Sequence, residues 1–176
     1  MFRVRQGGCR SVSGRPEPNI GFQKMNKRKI NQPGKSNEIH LSFPATLENA
    51  DRTADEIARI FRAAGIKKDT FNIILGIREA FTNAVKHGNR CDSSKLVRVN
   101  LIFNERHLIV EVADEGEGFN WKSYLKKNLP SKEESGRGLA IMKAVFTTVT
   151  HNPKGNRLVL KKSMESSKMR HNLSNG

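Results

Sequence analysis

Two strand-like runs in the middle of the chain, Lys95 to Asn104 and His107 to Asp114, are joined by a tight turn at Asn104-Glu105-Arg106. So short a connection links only antiparallel neighbours, because parallel strands need a crossover of about a dozen residues or more. The pattern recurs near the end, where Thr147 to His151 and Leu158 to Lys162 read as a hairpin across Asn152-Pro153-Lys154-Gly155. Earlier in the chain, Ile39, Leu41 and Phe43 alternate with polar positions and predict a strand ended by Pro44. Thr46 can cap a helix running to Ala64, with Ile57, Ile60 and Phe61 on its apolar face and Gly65 as its stop. A second helix is expected from about Asp69 to Gly88, burying Phe71, Ile74, Leu75, Phe81 and Val85. Residues 115–137 read as loop, with a short helix around Trp121 to Lys126, ahead of a third helix from Gly138 to Phe146. The order β-α-α-β-β-α-β-β predicts an α+β fold. We expect a two-layer α/β sandwich whose mixed, mostly antiparallel sheet carries the helices on one face.

The chain has 32 Lys plus Arg against 17 Asp plus Glu, and its net charge of +15 first points to nucleic acid or an acidic membrane surface. Where the charge sits changes that reading. Residues 1–37 account for +8 and residues 161–176 for +3, leaving only +4 for residues 38–160. Both ends are rich in Gly, Ser, Asn and Pro and lack apolar periodicity. We therefore expect a disordered basic tail over residues 1–37, a folded domain over 38–163 and a second disordered tail over 164–176. Only Phe2 and Phe22 lie among the N-terminal charges, so base-stacking platforms are scarce and direct nucleic-acid binding is not expected.

No apolar run approaches the ~18 residues of a spanning helix. The first 24 residues offer neither the continuous apolar stretch of a secretory signal nor the helical stripe of a transit peptide. Gly34-Lys35-Ser36 resembles the end of a P-loop, but Lys29 stands where the first glycine belongs. Met25, just ahead of the organised region, is expected to be the true start. Cys9 and Cys91 cannot make a disulfide scaffold, and the five histidines form no zinc-binding spacing with them. A reducing, cytoplasmic setting without membrane association follows as the expectation.

Three motifs carry the chemistry. In Arg78-Glu79-Ala80-Phe81-Thr82-Asn83-Ala84-Val85-Lys86-His87-Gly88, the residues Glu79, Asn83 and His87 recur every four positions along one side of the second helix. A carboxylate and a carboxamide one turn apart can polarise a nucleophile and offer a neutral oxygen to a hard cation such as Mg²⁺. Taken alone, the same residues also fit a solvated helix face. After a strand comes Asp114-Glu115-Gly116-Glu117-Gly118-Phe119, where alternating glycines admit a ligand to the backbone beside a fixed carboxylate. That carboxylate can accept a hydrogen bond from an exocyclic amine. An EF-hand calcium loop is excluded because Gly116 occupies a ligand position, whereas a plain acidic turn stays open. Ser135-Gly136-Arg137-Gly138-Leu139-Ala140-Ile141-Met142 places two glycines at a helix opening, where free N–H groups and the helix dipole suit phosphate and Arg137 adds charge. It lacks the third glycine and preceding strand of a Rossmann fingerprint, and a simple glycine hinge remains the alternative.

Together, Glu79-x-x-x-Asn83, Asp114-x-Gly116-x-Gly118-Phe119 and Gly136-x-Gly138-Leu139-x-Ile141-Met142 resemble the GHKL superfamily of ATP-binding domains, the Bergerat fold. The resemblance spans about residues 38–162, including a closing strand at Arg157 to Lys162. Within the superfamily the chain is similar to the anti-sigma factor serine/threonine-protein kinases of sporulation and general stress response. Its lid segment between Phe119 and Gly136 is short, and it has no histidine-bearing dimerisation helix. The resemblance implies an ATP- and Mg²⁺-dependent kinase that phosphorylates a serine of a STAS-domain anti-anti-sigma factor and sequesters a sigma factor, as a homodimer. A non-catalytic ATP-binding switch is the alternative. It implies Glu79 as catalytic base, Asn83 as Mg²⁺ ligand, and Asp114 as acceptor for the adenine amine. Gly116, Gly118 and Phe119 would admit the base, while Gly136, Arg137, Gly138 and Leu139 would meet the phosphates. Some members carry an arginine just before the Ser-Gly of the third motif. Here that position is Glu134, preceded by Glu133, which leaves Arg137 as the candidate cation.

Overall fold

A computed structural model of the chain describes residues 21–22, 36–104, 106–120 and 134–164. The elements are β1 (Gly21–Phe22), β2 (Asn37–Pro44), α1 (Leu47–Ala63), α2 (Thr70–Asn83), β3 (Leu96–Phe103), β4 (His107–Ala113), α3 (Glu134–Val145), β5 (Thr148–His151) and β6 (Arg157–Ser163). A π-helical turn, Ala84–Gly88, continues α2. The strands form one six-stranded sheet in the order β1-β2-β3-β4-β6-β5. Every ladder is antiparallel, so the parallel component of a mixed sheet is absent among the described residues.

Alternation along the strands puts one face of the sheet in the core. Phe43 stands opposite Val97, Val99 opposite Val112, and Val112 opposite Leu158. These side chains are buried together with Ile57 and Phe61 of α1, Ile73, Ile77 and Phe81 of α2, and Met142 of α3. Edge-to-face ring pairs, Phe43 with Phe81 at 5.2 Å and Phe61 with Phe103 at 5.7 Å, lock the helices to the sheet. Each such side chain, once fully buried, contributes about 1.5–3 kcal/mol.

The first helix begins and ends as its sequence dictates. Thr46 accepts the Asn49 N–H at 3.2 Å as N-cap, and Gly65 turns the chain away at a φ of 76°. The second helix departs from expectation at its start. Phe71 is 80% exposed rather than buried, Leu75 is half-buried, and Ile73 and Ile77 are fully buried. The inward stripe runs through Ile73, Ile77, Ala80 and Phe81. At about 100° per residue, Phe71 lies some 200° from Ile73 and faces outward.

Two further differences concern the ends of elements. The short strand β1 lies inside the basic tail and pairs Gly21 with Ser42 and Phe22 with Leu41. Helix α3 begins at Glu134 instead of Gly138, so the free N–H groups of its first turn belong to residues 134–137. The anticipated helix at Trp121 to Lys126, most of the lid segment, Met25 and the residues beyond 164 lie outside the described residues. Among the described residues, no helix is long and apolar enough to cross a membrane.

Candidate active site

Between the α2–π turn segment, α3 and the ends of β4, β5 and β6 lies a cavity of about 420 Å³. Its walls are mostly apolar, from Ala80, Val112, Leu139, Met142, Val149 and Leu158. Among them stand a few polar groups: Asn83, His87, Asp114, Lys143, His151 and Arg157. An apolar slot with sparse, convergent polar groups is the usual character of a small-molecule site.

Asp114 is the best-fixed of those groups. Its backbone N–H donates to the Asn156 carbonyl at 3.0 Å, and the Asn156 side-chain amide donates to the Asp114 carbonyl at 3.3 Å. Its Oδ1 accepts the Gly116 N–H at 2.9 Å. Burial raises its pKa above the ordinary carboxylate range, a shift opposed by the Gly116 hydrogen bond and the charges of Lys154 and Lys95. A side chain on Gly88 would press into this carboxylate, since a Cβ there would stand 2.5 and 2.6 Å from Oδ2 and Oδ1. A side chain on Gly116 would in turn collide with the Gly88 carbonyl oxygen. The π turn and the Asp-x-Gly loop are thus packed backbone to backbone.

Asn89 ties the same corner together. It is fully buried, its side-chain oxygen accepts the Glu115 N–H at 2.9 Å, and its amide donates to the Leu96 carbonyl at 3.0 Å. Glu115 completes the tie by accepting the Leu96 N–H at 3.0 Å and pairing with Arg98 at 2.6 Å. The Leu96 hydrogen bond, followed by Arg98, holds the Glu115 carboxyl below its ordinary pKa. Sequence reasoning passed over Asn89, because an asparagine after a helix-ending glycine carries no distinguishing pattern.

The far side of the cavity is closed by the β5–β6 turn. Asn152 accepts the N–H groups of Gly155, Asn156 and Arg157 through one oxygen at 2.8–3.2 Å and so fixes the turn. Gly118 and Gly155 both have φ near 82° and seat against each other's neighbours. A Cβ on Gly118 would meet the Lys154 carbonyl, and one on Gly155 would meet the Phe119 carbonyl. Phe119 then stands edge-on to His151, with ring centroids 5.3 Å apart. Burial lowers the His151 pKa and keeps the imidazole neutral at pH 7. His151, too, was missed, since its partner lies 32 residues away in sequence.

Of the residues singled out by sequence, Asn83, Asp114, Gly118, Phe119 and Leu139 line the cavity. Glu79, Gly116, Arg137 and Gly138 do not. Glu79 is nevertheless in place beside it. A Cβ on Gly138 would stand 2.7 Å from Glu79 Oε2, so the carboxylate rests against the bare backbone of α3 next to the cavity-lining Leu139. Arg137 is exposed in the first turn of α3, which also contains Gly136 and starts with Glu134.

Residues 43–162 match the histidine kinase-like ATPase domain family. The anti-sigma F factor of Clostridium perfringens is 28% identical over 143 residues, covering 74% of this chain and 99% of that protein. The anti-sigma F factor of Geobacillus kaustophilus is 30% identical over 145 residues, covering 75% and 96%. The serine-protein kinase RsbW of Staphylococcus epidermidis is 31% identical over 124 residues, covering 64% and 77%. A histidine kinase domain of a blue-light activated histidine kinase from Erythrobacter litoralis aligns with a TM-score of 0.42 at 17% identity, over 70% of this chain and 62% of that one.

The family match makes this an ATP-binding domain. The chain belongs to the histidine kinase-like ATPase family, within the GHKL group and its branch of anti-sigma factor kinases.

Proposed function

We propose that the protein is a Mg²⁺-ATP-dependent serine kinase that phosphorylates a STAS-domain anti-anti-sigma factor and, in its other partnership, sequesters a sigma factor. The observation that carries this reading is the pairing of a half-buried, oriented Asp114 in an apolar slot with a Glu79 carboxylate held against α3 at the edge of that slot. The names of the relatives, anti-sigma F factor and serine-protein kinase, support the two activities. We place it in the cytoplasm, where its partners act, and expect it to work as a homodimer.

The chemistry follows from the residues. One Asp114 oxygen is engaged by Gly116, which leaves the other to accept the adenine amine while Val112, Leu139, Met142 and Leu158 enclose the ring. Gly118 and Phe119 form the entrance on the side of His151. The triphosphate then runs toward α3, whose first turn, with Gly136 and Arg137, presents N–H groups and a guanidinium, while Gly138 leaves the backbone bare beside Glu79. Asn83, one turn beyond Glu79, offers the oxygen that would hold Mg²⁺, and the ion when bound offsets the phosphate charge. Glu79 accepts the proton of the partner's serine hydroxyl as its oxygen bonds to the γ-phosphorus. The bond from that phosphorus to the β–γ bridging oxygen breaks, and ADP leaves.

The test is Glu79→Gln, which keeps shape and removes the base. Phosphate transfer from labelled ATP to a STAS-domain protein encoded near the gene should disappear, with ATP affinity within about twofold of wild type. Undiminished transfer would remove Glu79 as base. A wild-type protein that binds ATP but transfers no phosphate would favour the non-catalytic switch.

A further inference from the structure

Phe71 and Phe119 are the large apolar side chains left exposed among the described residues, and only Phe119 belongs to the cavity. Phe71 projects from the first turn of α2, 80% exposed, at a helix start that local stability alone would not choose. The N-cap residue Asp69 sits in the left-handed region at a φ of 57°, although it is not glycine. Its side chain makes no capping hydrogen bond and instead pairs with Lys162 at 3.5 Å. Strain, a missing cap and an exposed aromatic coincide within three residues. Such clusters of broken local rules mark functional surfaces.

Position and charge say what the surface fits. Phe71, Leu75 and Glu79 follow one another at four-residue steps, so the Phe71 and Glu79 backbones lie about 12 Å apart along the helix axis, with Glu79 turned roughly 80° around it. Lys67 and Lys68, both exposed, immediately precede it, and the nearby Asp69 is engaged by Lys162. The result is an aromatic knob with a cationic rim, two turns before Glu79 on the same helix.

The chain's own tails are poor occupants, since residues 1–37 carry +8 and residues 161–176 carry +3. A second copy would bring the same lysines toward each other across a twofold axis.

We propose that Phe71, with Lys67 and Lys68, docks the protein whose serine is phosphorylated, through an acidic surface with a hydrophobic recess. This rests on the kinase reading above and adds the contact by which the substrate is chosen. Aromatic anchors of this kind commonly dominate an interface, and electrostatic rims set its encounter rate.

The experiment uses the full chain, a purified STAS-domain protein from the same genome, labelled ATP and Mg²⁺. Phe71→Ser and the double variant Lys67→Glu/Lys68→Glu should each raise KM for the STAS protein roughly tenfold, the scale of a lost anchor. KM for ATP and kcat should stay within about twofold, and Phe71→Tyr should restore wild-type behaviour. In parallel, calorimetric binding of the STAS protein should weaken in the same variants. Unchanged KM and binding in both variants would overturn the proposal. So would a Phe71→Ser protein that keeps normal STAS binding but sediments at a lower mass, which assigns the knob to contact between copies. Failure of the wild type to transfer phosphate would sink only the kinase reading, because the binding arm judges the surface by itself. Wild-type protein that does not bind the STAS domain at all would sink the docking proposal.

Discussion

Gly88→Ala isolates what the close packing around Asp114 is for. Gly88 does not have a positive φ, so alanine fits its backbone without strain. The added Cβ would lie 2.5 Å from Asp114 Oδ2 and 2.6 Å from Oδ1, against an ordinary contact of about 3.5 Å. The carboxylate must therefore retreat by about 1 Å. That retreat lengthens a hydrogen bond from the adenine amine from about 2.9 Å to nearly 4 Å, which is no bond at all. A hydrogen bond to a charged group is worth about 1.5–3 kcal/mol, so ATP affinity should fall roughly 10- to 150-fold. Stability falls too, by no more than a similar amount. Overpacking costs about 1–3 kcal/mol, and the more rigid unfolded chain returns about 0.4–1 kcal/mol. Calorimetric titration with Mg²⁺-ATP measures the first effect and denaturant unfolding the second. Gly65→Ala is the matched control, because Gly65 has a φ of 76° and nothing within 4 Å of its Cβ position. It should lose stability and keep its ATP affinity. If Gly88→Ala binds ATP within twofold of wild type, Asp114 is not the acceptor for the base.

Asp114→Asn should separate stability from binding. Burial raises the folded-state pKa of Asp114, so the folded state holds its proton more tightly than the unfolded chain, and stability falls as pH rises from the ordinary 3.8 through the raised value. Asparagine removes that burden and can still accept the Gly116 N–H. The variant should unfold no more easily than wild type at pH 7 while binding ATP at least tenfold more weakly, as read by thermal denaturation and titration. Asn89→Ala should do the opposite. Leaving the Glu115 N–H and Leu96 carbonyl without their buried partner should cost about 2–4 kcal/mol in denaturant unfolding, with ATP affinity lost only as Asp114 shifts.

The parts of the fold that sequence disclosed are those written in local periodicity. Alternation in Ile39, Leu41 and Phe43 and in the two hairpins placed the strands to within a residue or two, because which face a strand residue takes depends only on its parity. Thr46 and Gly65 were legible as caps for the same local reason. Phase and partnership were not. Phe71 looks like part of an apolar stripe until the helix start is known, and moving it by two residues turns an inward side chain outward. The two-residue strand β1 has too few positions to show alternation. In the site, the motif glycines were visible but their purpose was not. Gly88 against Asp114, Gly138 against Glu79 and Gly118 against Lys154 are contacts between segments 20 to 60 residues apart, and no spacing rule records them.

Those contacts also explain why so basic a chain should not be read through its net charge. The cations that line the cavity are few, and one of them, Arg157, is tied to Glu111 at 3.2 Å. The group that defines the slot, Asp114, is an anion that burial makes costly, with one oxygen answered by Gly116. A ligand that brought only negative charge would be repelled there. A ligand with an apolar ring and an amine at one end, and its phosphates at the other, meets the carboxylate with a donor and sends its charge toward the N-terminus of α3. Surface charge governs encounter and solubility. In the proposed binding mode, recognition rests on a single half-buried carboxylate and on the glycines that let the chain close around it.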